Sequence, residues 1–276
     1  RLYLNRFLAW WQGHGGEGKS VEQLTLEDIR EWRLVLSKLM SKVTQSYYVI
    51  ALRSWLKWLV KQEVQTVAAE RIDVPKGESR SLKFLNREQV ERLLAAPSIA
   101  DARGLRDKAM LEVLFSTGLR VAELIDLNRD TVDTKRREFG VIGKGRRPRV
   151  VFLSEKAARW LERYLVTRND NWPPLFIRYS GSKPLVTSKG EEMRLTVRSV
   201  QRLVRKYVRQ VRLPVEATVH TLRHSFATDL LQGGAGLREV QELLGHKNIA
   251  TTQIYTHVTN LQLKQAHEKY HSGNRR

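Results

Sequence analysis

The sequence has no cysteine, which removes disulfides, cysteine-based zinc sites and thiolate nucleophiles from consideration together. It has no apolar run near the roughly 20 residues that a membrane-spanning helix needs, and its opening, Arg1-Leu2-Tyr3-Leu4-Asn5, carries no signal-peptide core. These absences predict a cytoplasmic protein without membrane insertion. Because residue 1 is an arginine in what reads as the middle of a helix, native N-terminal residues are expected to be missing. Acidic side chains are also scarce: 29 Asp and Glu stand against 49 Lys and Arg, for a formal charge of +20. Such an excess repels itself in a folded chain unless a polyanion shares the surface. Nucleic acid is therefore the first partner to consider and an anionic membrane the second, and composition does not separate them. With 276 residues, 41% of them hydrophobic, the chain can build one large core or two ordinary ones.

Apolar periodicity is mostly helical. Leu4, Phe7, Leu8 and Trp11 define a first helix, which breaks in the run Gly13 to Gly18. Thr25 with Asp28, ahead of Ile29, Trp32, Leu36 and Leu39, reads as a capped second helix. A third runs from about Thr44 to Lys61, with Tyr48, Leu52, Trp55 and Leu59 on one side. Most of Trp10, Trp11, Trp32, Trp55 and Trp58 are expected in its core. A segment rich in turn residues at 73–82 reads as a linker, so residues 1–72 and 83–276 are expected as two domains. Helices follow near Asn86 to Ala95, Gly104 to Ser116, and after the break at Thr117-Gly118. Glu138 to Ile142 and Arg149 to Leu153 read as a β-hairpin around the basic tip Gly143-Lys144-Gly145-Arg146-Arg147-Pro148. Between 198 and 212, Val200, Leu203, Val204, Tyr207, Val208 and Val211 alternate with Arg198, Arg202, Arg205, Lys206 and Arg209. That basic side is either a solvated surface or a strip that faces phosphates. The fold class expected is mainly α with a small β-sheet.

Gly13-His14-Gly15-Gly16-Glu17-Gly18-Lys19-Ser20 satisfies the letter of the nucleotide-binding pattern G-x-x-x-x-G-K-S. That pattern works when a buried strand delivers the loop to the start of a long helix. Here a Trp-rich helical segment precedes it, and only Val21 to Leu24 separate it from the Thr25 cap. The run is expected to be a helix-to-helix loop.

Chemistry concentrates elsewhere. Cutting a phosphodiester through a covalent tyrosine needs positive charge on the non-bridging oxygens, a proton donor for the leaving 5′-oxygen and an attacking phenol. Arginine suits the first task because its fork grips two oxygens and stays protonated. Arg120 follows a tight turn at the start of a short helix. His220 and Arg223 are three apart and share a helix face, with His224 one step round. Taken singly, each is weak: an H-x-x-R recurs by chance, a lysine such as Lys144 in a glycine-flanked tip is more often an ordinary surface turn, and a tyrosine such as Tyr255 is more often a half-buried amphipathic residue than a nucleophile.

Their order along the chain resembles the tyrosine recombinases, also called the phage integrase family, and within it the Xer group. Thr117-Gly118-Leu119-Arg120-Val121-Ala122-Glu123-Leu124 resembles the box of the first catalytic arginine, and Gly143-Lys144-Gly145 the hairpin of the catalytic lysine. His220-Thr221-Leu222-Arg223-His224-Ser225-Phe226-Ala227-Thr228 resembles the H-x-x-R box. Leu243-Leu244-Gly245-His246 through Thr251-Thr252-Gln253-Ile254-Tyr255-Thr256-His257-Val258 resembles the box of the second histidine and the nucleophile. The likeness is strong from about 83 to 260. Two departures stand out: Thr218-Val219 where the family often has proline before the histidine, and Gly236 where it often has an acidic residue or Asn. The glycines there predict a looser approach to the helix near Leu237, at the cost of about 1 kcal/mol that glycine carries in helices.

The resemblance implies an N-terminal helical core-binding (SAM-like) domain and a tyrosine-recombinase catalytic domain that clamp duplex DNA. Carried over by position, Arg120, Arg223 and His246 hold the scissile phosphate, His220 aids proton traffic, Lys144 protonates the leaving oxygen and Tyr255 attacks. Glu123 and His224 would support them from behind. A Holliday junction forms midway. Neither cofactor nor metal is implied, because the phosphotyrosine conserves the bond energy and arginines supply the charge. Implied partners are double-stranded DNA, a homo- or hetero-tetramer on two DNA sites, a related recombinase, and a regulatory DNA translocase or accessory protein. The C-terminal helix at 261–270 is expected to be donated to a neighbour. The role implied is resolution of chromosome or plasmid dimers in a nucleoid-associated cytoplasmic protein. The alternative keeps the chemistry in an integrase or excision recombinase of a phage or other mobile element. A silent architectural DNA-binding protein and a relaxing topoisomerase are the readings from other classes.

Overall fold

A computed structural model describes residues 2–75, 84–143, 148–181, 189–214 and 216–245. The chain divides into two compact units, residues 1–81 and 82–276. The described elements are helical apart from one antiparallel two-stranded sheet and isolated bridges.

The first unit holds α1 (Leu2–Trp11), α2 (Leu26–Leu39) and α3 (Lys42–Lys61). Thr25 starts α2 as the sequence predicts. Its hydroxyl accepts from the Asp28 N–H at 3.1 Å, while the Asp28 carboxylate accepts from the Thr25 N–H at 2.8 Å. Such a cap contributes about 1 kcal/mol. Phe7, Trp32 and Tyr48 form the aromatic centre, with Phe7 and Trp32 edge to face at 4.8 Å between ring centroids. Trp11 is buried with them and Trp10 and Trp55 are half-buried, but Trp58 is exposed because it falls on the side of α3 opposite Leu52, Leu56 and Leu59. The nucleotide-loop look-alike continues α1 as a π-helical turn, Gln12–Gly16, with His14 and Gly15 outside helical geometry. The phosphate-cradling context of strand, loop and long helix is not formed there.

The second unit is built around α5 (Ala102–Thr117), most of whose residues are buried. It packs against α7 (Glu155–Val166), α9 (Val219–Gln232) and α4 (Arg87–Ala95), with α6 (Val121–Ile125), α8 (Val197–Gln210) and α10 (Leu237–Leu244) completing the helical set described. Helix α5 carries charge into this core, so each charge has a partner. Arg106 pairs with Asp107, which also accepts from the Tyr207 hydroxyl at 2.8 Å, and Lys108 lies 2.7 Å from Glu112. The Ser225 hydroxyl accepts from the Leu85 N–H at 2.8 Å, tying the start of the unit to α9.

Strands β1 (Glu138–Ile142) and β2 (Pro148–Phe152) pair in the register Val141 opposite Arg149 and Phe139 opposite Val151. Alternation sends Phe139, Val141 and Val151 into the core and leaves Ile142, Val150 and Phe152 exposed. The second strand begins one residue earlier than the sequence predicts, at Pro148, a position where the missing N–H costs no ladder bond.

Candidate active site

Gly118 decides where the first arginine stands. It ends α5 at φ +59°, in the left-handed region, and a Cβ added there would lie 2.4 Å from the Phe226 ring of α9. The chain turns sharply against α9, buries Leu119 and places Arg120 at the N-cap of α6. The Glu123 carboxylate accepts from the Arg120 backbone N–H and from its guanidinium, each at 2.9 Å. The Arg120 side chain remains 35% exposed, open to a ligand.

Helix α9 supplies the opposite wall. Thr218, where the family often has proline nearby, caps this helix: its hydroxyl accepts from the Thr221 N–H at 3.2 Å. One turn further along, Arg223 is buried, and its guanidinium donates to the Gly118 carbonyl at 2.5 Å and the Leu244 carbonyl at 2.6 Å. It thus joins the end of α5 to the end of α10. His220 lies at the open rim, its ring 4.1 Å from that of the buried His224. Partial desolvation, followed by the positive charges of Arg223 and Arg120, holds the His220 pKa below its ordinary 6.5, which favours the neutral imidazole near pH 7.

Arg120, His220 and Arg223 line one cavity of about 470 Å³, together with Leu119, Thr218 and, from α8, Gln201 and Arg205. The basic strip of α8 is legible in the sequence, and its exposed side is the predicted one. What the sequence does not reveal is that Arg205 belongs to the same cavity as Arg120. The Gly236 departure is also recast. Gly236 stands in extended conformation at the N-cap of α10, where its N–H donates to Glu239 at 2.7 Å, so it imposes no helix-interior cost.

Glu123, expected as an orienting carboxylate, does contact Arg120, and it has a second partner that the sequence reading missed. Arg149 donates to its two oxygens at 2.9 and 2.8 Å. Burial by itself would raise the Glu123 pKa. Bonding and charge from Arg149, with the Arg120 N–H and guanidinium, lower it to about 2. The alternation of β2 was the available signal, since it puts 149 on the inward face with Val151, where an arginine needs a counter-charge. Lys144, His246 and Tyr255 lie outside the described residues, as do the tip 144–147 and the 261–270 segment. Among the described residues no group of acidic and histidine side chains has the arrangement to hold a metal, and no helix is long and apolar enough to cross a membrane.

The sequence model of the phage integrase family matches residues 83–262. The chain is 36% identical over 272 residues to tyrosine recombinase XerD of Pseudomonas putida, covering 98% of this chain and 89% of that protein. To tyrosine recombinase XerC of Natranaerobius thermophilus it is 37% identical over 262 residues, covering 91% and 84%. In three dimensions it resembles the crystal structure of XerH site-specific recombinase bound to palindromic difH substrate in a post-cleavage complex, with a TM-score of 0.71 over 90% of this chain and 73% of that one. At 24% identity that likeness speaks for the fold.

Proposed function

The chain belongs to the tyrosine recombinases of the phage integrase family, which cut and rejoin double-stranded DNA at specific sites, and from that premise we propose that it is a Xer-type recombinase resolving chromosome or plasmid dimers. The names of the curated relatives, XerD and XerC, support the Xer reading. The observation that carries the site is the convergence of Arg120, His220 and Arg223 on one cavity, brought about by packing that bonds Arg223 to Gly118, 105 residues away in the chain.

In this reading a DNA phosphodiester enters the cavity with its non-bridging oxygens toward Arg120 and Arg223, and His246 assists them. Fixed guanidinium donors stabilise the extra charge of the pentacoordinate transition state without having to reorganise. The Tyr255 oxygen attacks phosphorus as His220 takes part in moving the phenolic proton. A 3′-phosphotyrosyl bond forms, the bond to the 5′-oxygen breaks, and Lys144 gives that oxygen its proton. The free 5′-hydroxyl of a partner duplex attacks the phosphotyrosine in return, which regenerates the phenol and yields a Holliday junction after the first pair of exchanges. Residues 1–72 act as a SAM-like core-binding domain and 83–276 as the catalytic domain, with 73–82 between them. Four protomers, from one or two related recombinases, assemble on two DNA sites under a regulatory partner.

The experiment is covalent capture. The wild type is incubated with nicked duplexes from its host genome, and the DNA-linked peptide is mapped. The wild type should capture a specific site through Tyr255, and Tyr255→Phe should bind that site yet yield no adduct. An equal adduct yield from Tyr255→Phe would remove the nucleophile assignment.

A further inference from the structure

Glu123 presents a difficulty for any phosphate-binding role of Arg120. A buried carboxylate bonded to a guanidinium cancels its charge and would stand beside the incoming anion. The side chains of Glu123 and Arg149 are 5% and 10% exposed, so solvent screens their charges little. Among the described residues, the four bonds to the Glu123 carboxylate come from two arginines. Oε1 accepts from the Arg120 guanidinium and Arg149 Nη1, both at 2.9 Å, while Oε2 accepts from the Arg120 N–H at 2.9 Å and Arg149 Nη2 at 2.8 Å. The third kind of donor on Arg149, Nε–H, reaches the Leu243 carbonyl at 3.2 Å. That is the residue before the carbonyl gripped by Arg223. Gly245 follows at φ +65°, where a Cβ would lie 3.0 Å from Arg149 Cδ.

Resting on the proposed role of Arg120, we propose that Arg149 is a positioning residue for strand cleavage: it is the counter-ion of Glu123, and it leaves the charge of Arg120 available to the scissile phosphate. Arg120 and Glu123 alone sum to zero, whereas with Arg149 the trio carries one net positive charge, displayed on the partly exposed Arg120. The acidic neighbours on α10 do not compete for Arg149, because Glu242 lies 3.6 Å from Arg238 and Glu239 accepts from the Gly236 N–H. The planar fork also explains the residue type. Three donors in one plane bind both carboxylate oxygens and a carbonyl across a strand, a cap and a helix end, which a single ammonium does not reproduce. Two sequence boxes and the hairpin are thereby held in one joint that keeps a single net positive charge.

The test uses the nicked duplex that the wild type captures. Single-turnover adduct formation and DNA affinity are measured for wild type, Arg149→Met, Arg149→Lys, Glu123→Gln and the double variant Glu123→Gln/Arg149→Met. Arg149→Met should slow cleavage about 100-fold, the scale of loss from misplacing a reacting group, with affinity changed by no more than about threefold because many other phosphate contacts supply binding. Arg149→Lys should fall between it and wild type. Removing the carboxylate as well should recover at least about tenfold over Arg149→Met, a rescue of rate that two independent losses do not produce. Arg149→Met cleaving at the wild-type rate, or losses that add in the double variant, would overturn the proposal. If Arg149→Met does not fold, the double variant decides, since it too leaves Arg120 with an uncancelled charge. A rate within about tenfold of wild type supports the proposal and a slower one overturns it. A wild type that captures no duplex would instead defeat the recombinase site on which the proposal rests.

Discussion

Arg120 and Arg223, two of the three arginines that line the cavity, are held in opposite ways. Arg223 is buried, with donors committed to backbone carbonyls at the ends of α5 and α10, so it doubles as a brace for the elements around it. Arg120 is anchored through one carboxylate and keeps much of its side chain open. Their substitutions should therefore differ. Arg120→Ala should fold and bind DNA nearly as well as wild type while adduct formation falls by about 100- to 1,000-fold, the range for removing one donor to a transition-state anion. Parallel gel-shift and single-turnover measurements check this. A loss of affinity as large as the loss of rate would make Arg120 a general DNA-binding residue. In Arg223→Ala the loss of the brace should appear in thermal stability as well.

At the scale of elements, the joint between α5, α6 and α9 sets the site, and it hinges on Gly118. Gly118→Ala places a Cβ against Phe226 at an unfavourable φ and should destabilise the protein by about 2–4 kcal/mol, from left-handed backbone strain and overpacking together. Denaturant unfolding measures it, and an unchanged midpoint would show that α9 yields easily. The carboxylate joint between α6 and β2 has a pH signature. Glu123 has its pKa lowered from 4.5 to about 2, so its contribution to stability is complete above 4.5 and is lost as pH falls toward 2. A displacement of that size corresponds to about 3 kcal/mol. The stability difference between wild type and Glu123→Gln should therefore shrink steadily across that window. A difference constant with pH would mean that the carboxylate is not held ionised by Arg149 and Arg120. Helix α8 shows how far an element can be read from periodicity: its buried and basic sides are as predicted. The cavity that Arg205 helps to form depends on α6 and α9 coming alongside, which no local pattern encodes.

For the whole molecule, the +20 charge is the dominant long-range feature. Binding should release condensed counterions, and affinity for duplex DNA should fall by about 1,000-fold or more between about 50 and 200 mM salt, as for proteins making about 6–10 phosphate contacts. Equilibrium binding across a salt series tests it. A shallow dependence would mean that much of the positive charge lies away from the DNA.

Sequence alone determined the helical periods, the cap at Thr25, the hairpin, and the failure of the Gly13 to Ser20 run to find the strand it would need. Those are local properties, written in spacings of two to four residues and in charge counts. Tertiary structure decided that Trp58 faces solvent, that Arg205 joins Arg120 and His220 around a cavity, that Gly236 caps a helix, and that Arg149 closes the circuit on Glu123. Each of these depends on segments distant in the chain meeting in space, with the packing of α5 and α9 fixing which buried charge must answer which.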